Sequence, residues 1–139
     1  MSHALPPDHY RTILVVDDAE TCAATLELAL LGLGGAAVAV ARTGIEALQV
    51  LGDARREVCA VITDLNMPRM DGFELIRHIR ADCRHATIPI VVTSAETDPR
   101  AYERATDAGA NAYFPKPYSP GRVRQKLEQL LDEKPSART

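Results

Sequence analysis

Asp17, Asp18 and Asp64 supply carboxylates, Ser94 a hydroxyl and Lys116 an ammonium, and these are the group types that phosphoryl transfer uses. Three carboxylates drawn into one small site cannot all stay ionised unless a cation joins them. Ligation by oxygen alone, from carboxylates, water and a phosphate oxygen, suits Mg²⁺ or, in its place, Mn²⁺. A carboxylate also attacks phosphorus to form an aspartyl phosphate, which makes Asp64 the candidate nucleophile. The compact lysine ammonium fits a phosphate oxygen. Such a site works mainly by positioning and charge stabilisation, so all five groups must reach one place.

The elements of the chain are of the kind that would bring them there. Short β-branched runs recur at 12–16, 36–40, 58–63, 88–93 and 110–114, and several are nearly continuous apolar stretches suited to strands buried on both faces. Helical segments are predicted between and after them at 20–32, 44–53, 71–83, 98–108 and 119–133. Asp71-Gly72, Asp98-Pro99, Gly109 and the Ser119-Pro120 cap supply start and stop signals. Regular alternation implies right-handed crossovers and a doubly wound α/β sheet. One domain is expected over residues 11–133, between tails at 1–10 and 134–139. In such sheets functional groups sit on loops leaving the carboxyl ends of strands. Asp17-Asp18, Asp64, Ser94 and Lys116 follow the first, third, fourth and fifth strands in turn. Any one of them alone is an ordinary polar loop residue; the set is not.

Composition narrows the function classes. A net charge of −3 and the absence of tryptophan argue against direct nucleic-acid binding. No apolar run is long enough to insert in a membrane, and the first ten residues lack a signal-peptide pattern, so a cytoplasmic location is expected. Cys22, Cys59 and Cys83 are scattered, and neither they nor His3, His9, His78 and His85 have metal-ligand spacing. Phosphate-binding and hydrolase motifs built on glycine are missing.

The segments Val15-Val-Asp-Asp18, Asp64-Leu-Asn-Met-Pro-Arg-Met-Asp-Gly72, Val92-Thr-Ser-Ala-Glu96 and Phe114-Pro-Lys-Pro117 resemble the four signature blocks of bacterial two-component response-regulator receiver domains. The spacings agree, with 30 positions from Asp64 to Ser94 and 22 from there to Lys116. The likeness covers about residues 11–133 and is nearest in form to stand-alone chemotaxis-like regulators. It implies a flavodoxin-like (βα)5 parallel sheet with strand order 2-1-3-4-5. It further implies that Asp64 accepts a phosphoryl group from a histidine kinase or histidine phosphotransfer protein. The chain would then be a signalling switch that catalyses only its own phosphorylation and dephosphorylation. Asp18 and Asp64 would ligate the metal directly, with the Asn66 carbonyl, and Asp17 through a bound water. By the same likeness the Lys116–Pro117 bond is expected to be cis, Ser94 and Tyr113 to form the switch pair, and Asn66 and Glu96 to tune the lifetime of the phosphorylated state. The face made by helix 4, strand 5 and helix 5 would meet a downstream target.

Several alternatives stay open beside this reading. The chain would also serve as a phosphorelay intermediate or as a receiver cut from a longer regulator. A Mg-dependent phosphohydrolase is disfavoured, because Asp17-Asp18-Ala19 lacks the DxD nucleophile motif. The alternative for Tyr113 is a gap-filling aromatic between the last strand and helix 4. On the first helix, Cys22, Leu26, Ala29, Leu30 and Leu33 are assigned to the sheet. Ala23, Ala24, Glu27, Leu28 and Leu31 are assigned to an unusually apolar outer face beside the Asp64 rim, either a partner patch or scattered surface leucines.

Overall fold

The computed structural model describes residues 10–132. Its elements alternate: β1 (Tyr10–Val16), α1 (Glu20–Leu30), β2 (Ala37–Ala41), α2 (Gly44–Leu51), β3 (Arg56–Asp64), α3 (Gly72–Ala81), β4 (Ile90–Ser94), α4 (Arg100–Ala108), β5 (Ala112–Pro115) and α5 (Pro120–Asp132). The five strands pair in parallel in the order β2-β1-β3-β4-β5, the expected doubly wound arrangement. Consecutive residues of the central strands feed opposite faces. Leu14, Val16, Val61 and Val92 join a core with α2, α3 and α4, while Ile13, Val15, Ile62 and Val91 join a second core with α1 and α5. This two-sided burial is why the apolar runs are continuous rather than alternating.

Boundaries moved where local hydrogen bonding competes. Tyr10 opens β1 opposite Arg56, so the strand takes one residue from the expected 1–10 tail. The remainder of that tail, and residues 133–139, lie outside the described residues. α1 stops at Leu30, and the glycine-rich stretch after it makes a short 3-10 turn at Leu33–Gly35 instead of further helix. α4 starts at Arg100, because the Asp98 carboxylate turns back to accept from the Arg100 N–H at 2.9 Å. On α1 the sheet-facing residues are Ala23, Leu26 and Leu30, with Leu33 just beyond. Ala23 therefore belongs to the core rather than to the outer face, and Cys22 and Ala29 are half-buried. Leu28 and Leu31 are exposed, at 72% and 56%. They stand eight and eleven residues along from Glu20, roughly 12 and 16 Å from the rim where α1 begins, and so not beside it. Arg124 of α5 is not simply solvated, since it donates to the Ala29 and Leu31 carbonyls that end α1.

Two features had no sequence signal. A bulge in β3 shifts its register against β1, so that Thr12 faces Val58 and Ile13 faces Ala60. Val58 and Ala60, two apart, consequently serve opposite cores. The second is Arg80 at the end of α3. Its half-buried guanidinium donates to the Gly109, His85, Ala86 and Ile88 carbonyls and to Asn111 Oδ1, at 2.7–3.3 Å. Gly109 closes α4 at φ 125°, and a Cβ there would meet the Arg80 side chain at 2.7 Å. One side chain thus ties α3, the loop into β4 and the turn into β5. Replacing Arg80 with Met should lower unfolding free energy by about 2–4 kcal/mol, because several carbonyls lose their donor together. Lys, a point charge without the planar fork, should recover little of it. Urea denaturation of both variants checks this.

Candidate functional site

The rim at the carboxyl ends of β1, β3, β4 and β5 gathers the expected groups. β1 runs straight into Asp17, whose N–H donates to the Ala41 carbonyl of β2 at 3.0 Å and so continues the sheet. Asp17 Oδ1 accepts from the Ala19 N–H at 2.9 Å and holds the turn into α1. Asp64 ends β3. Its Oδ1 accepts from the N–H groups of Leu65 and Asn66 at 2.7 and 3.3 Å. Both carboxylates are almost wholly buried, whereas Asp18 is exposed at the mouth.

Lys116 follows β5, and its own N–H donates to the Ser94 carbonyl at 2.8 Å, carrying the strand pairing one residue past the ladder. The Lys116–Pro117 bond is cis. The ammonium lies 3.2 Å from Asp17 Oδ2 and 3.1 Å from Asp64 Oδ2. Burial alone would push its pKa down, but hydrogen bonding and charge from Asp64, and then from Asp17, outweigh that and hold it above the usual lysine value. One carboxylate oxygen from each of Asp17, Asp18 and Asp64 lies within 4.8 Å of the others. A single lysine cannot balance three carboxylates, and this all-oxygen set fits a hard divalent cation.

The other sequence-selected residues fall around this centre. Ser94 is fully buried, and its Oγ accepts from the Glu96 N–H at 2.9 Å. Glu96 turns its carboxylate to the Asp98 N–H, at 3.1 Å. Asn66 is exposed just beyond Asp64. Tyr113 pairs with Val92, two residues before Ser94, so Ser94 and Tyr113 sit diagonally on one face of the β4–β5 pair. Among the described residues no histidine or cysteine joins a metal-binding group.

Two contributors escaped the sequence reading. Gly72, given there no role beyond helix punctuation and the end of a signature block, donates its N–H to the Leu65 carbonyl at 2.9 Å and packs directly on the Asp64 backbone, where a Cβ would collide with the Asp64 carbonyl. Tyr118, two residues after Lys116, packs half-buried on the α1–α5 core. Burial pushes its phenol up to about 12, and the nearby charges of Asp17 and Asp64 add to the shift. The place of Gly72 at the end of the Asp64 block was the available signal for the first; nothing local signals the second.

Residues 13–128 match the response regulator receiver domain family. Over 119 residues the chain is 39% identical to chemotaxis protein CheY1 of Helicobacter pylori and 36% identical to a chemotaxis protein CheY homolog of Campylobacter jejuni, with 86% of this chain covered in each case and 95% and 91% of those proteins. It is also similar to the structure of the chemotaxis response regulator CheY4 of Vibrio cholerae, at a TM-score of 0.76 and 28% identity, covering 87% of this chain and 98% of that one.

Because Gly72 braces the Asp64 backbone, Gly72→Ala should cost about 1–3 kcal/mol of stability through overpacking. It should also displace Asp64, so that divalent-cation binding weakens as well. Chemical denaturation together with a Mg²⁺ titration checks both effects.

Proposed function

The chain belongs to the response-regulator receiver family, a family of signalling switches rather than metabolic enzymes, and from that premise we propose that Asp64 is its phosphoacceptor, served by a phosphohistidine partner. The observation that carries this reading is the Lys116 ammonium held between the Oδ2 atoms of Asp17 and Asp64, with Asp18 at the open mouth. Backbone amides hold Asp64 Oδ1, so the side chain is aimed before any donor arrives. In the transfer, an Asp64 oxygen forms a bond to phosphorus, the histidine N–P bond breaks, and the imidazole leaves with the electron pair. Lys116 then exchanges its Asp64 contact for a phosphoryl oxygen, keeping one ionic partner throughout.

Asp18 and Asp64 would hold Mg²⁺ directly in this reading, with the Asn66 carbonyl, and Asp17 would assist through water. The bound ion would supply charge neutralisation for the incoming phosphoryl group. Ser94 turns its hydroxyl from the Glu96 N–H to the phosphoryl oxygen, and Tyr113, its diagonal neighbour, follows. One charge-assisted hydrogen bond contributes about 1.5–3 kcal/mol. A shift from 1:99 to 99:1 needs about 5.5 kcal/mol, so Ser94 shares the bias with Lys116, the cation and the target. The target meets the α4–β5–α5 face, where Tyr102 is 60% exposed. Leu28 and Leu31 offer an apolar patch to the phosphodonor.

Incubation with acetyl phosphate should give a single Mg²⁺-dependent phosphate adduct by mass spectrometry, lost in Asp64→Asn; no adduct in any condition would defeat the proposal. Hydrolysis completes the cycle when water attacks phosphorus and Asp64 leaves as a carboxylate. Asn66 and Glu96 flank the path of that water. Changing both to Ala should slow decay of the adduct by roughly tenfold or more, measured as loss of the adduct mass with time.

A further inference from the structure

Tyr113 has an aromatic partner that the receiver reading leaves unused. The ring of Tyr102, on α4, meets the ring of Tyr113 edge-on, with centroids 5.7 Å apart and planes at 77°. That is the favoured T-shaped geometry for two quadrupolar rings. Ala101 and Ala105 anchor α4 to the core, and the Arg104 guanidinium stacks 4.0 Å over Phe73 of α3, so the helix that carries Tyr102 is tied to its neighbours. Tyr102 itself is 60% exposed, while Tyr113 is half-buried against the core, so the ring pair straddles the core's edge. Ser94, by contrast, is fully enclosed. A Tyr113 ring that turns toward Ser94 would trade this edge-on contact with Tyr102 for one over the Ser94 hydroxyl.

We propose that Tyr102 is a positioning residue that holds Tyr113 outward at rest and so sets how much work phosphorylation must do to turn it. The inference rests on Tyr113 being the switch residue of the proposed function, and it adds the element opposing that switch. The contact belongs to the resting arrangement, in which Ser94 Oγ is occupied by the Glu96 N–H. Losing it removes a favourable ring pair from one state alone, and an interaction made in only one of two states shifts their ratio by its full value. The pair is formed by ring faces and edges rather than by the Tyr102 hydroxyl, for which no hydrogen bond is seen among the described residues. Phe should consequently substitute for Tyr at position 102, and Ala should not.

The test follows ¹³C-labelled tyrosine ring resonances of Tyr113 in the full chain, with and without beryllofluoride and Mg²⁺. Wild type, Tyr102→Phe and Tyr102→Ala are compared, with Tyr113→Phe for assignment. Tyr102→Ala should raise the resting inward population of Tyr113 roughly two- to tenfold, the factor expected for one aromatic pair, and Tyr102→Phe should stay near wild type. Beryllofluoride affinity in the presence of Mg²⁺ should rise in the Ala variant by no more than that factor, since linkage sets the limit. An unchanged Tyr113 resonance in resting Tyr102→Ala, beside a wild type that responds to beryllofluoride, would overturn the inference and leave the switch reading intact. A wild-type Tyr113 that does not respond to beryllofluoride would defeat the switch reading, and this inference with it.

Discussion

Crowding of negative charge at one rim of the sheet is the constraint on which the rest of the structure depends. Asp17 and Asp64 are buried side by side, and burying a carboxylate without a partner is costly. Lys116 answers the cost by standing between them. That arrangement needs β5 to end beside β4, and β4 beside β3, with the strand order bringing residues 17, 64 and 116 to the same edge. The parallel sheet, its two cores and its crossovers are in this sense the scaffold for a charge balance that remains one cation short. The deficit is what suits the site to a divalent ion and an incoming phosphoryl group.

The site is rigid on one side and adaptable on the other. Asp64 is held by two backbone amides and by the close approach of Gly72, so its carboxylate is set by main chain rather than by a rotamer. Lys116, Ser94 and Tyr113 instead hold their places through contacts that can be exchanged: an ion pair, a hydroxyl on a backbone N–H, and a ring edge. In the proposed function this gives a fixed nucleophile and movable reporters, a coherent division because chemistry requires position and signalling requires two states of similar energy.

Arg80 draws the boundary of the movable part. Its bonds to Gly109 and Asn111, and to the loop before β4, pin the base of the β4–α4–β5 segment at the edge away from Asp64. The proposed rearrangement between Ser94 and Tyr113 would then be confined to the upper ends of β4 and β5. The same economy appears on the opposite face, where Arg124 of α5 closes the end of α1 and fixes the helix carrying Leu28 and the Leu31 that follows it.

Much of this was legible in the linear chain. Continuous apolar runs alternating with amphipathic segments determined a doubly wound parallel sheet, because strands covered on both faces have no polar side to show. Residues at or just past the carboxyl ends of strands, namely Asp17, Asp18, Asp64, Ser94 and Lys116, were legible for a related reason: a parallel sheet delivers every such position to one edge. What the chain could not disclose depends on distance along it. The β3 bulge is a matter of register between strands, and one inserted residue reassigns faces without changing composition. Ala23 was misplaced because alanine carries too little hydrophobic signal to locate the buried stripe of α1, which only packing against the sheet defined. Arg80 with Gly109, and Tyr102 with Tyr113, are pairs joined by folding rather than by spacing. An arginine near a helix end and a tyrosine on a polar helix look like ordinary surface residues until the tertiary structure supplies their partners.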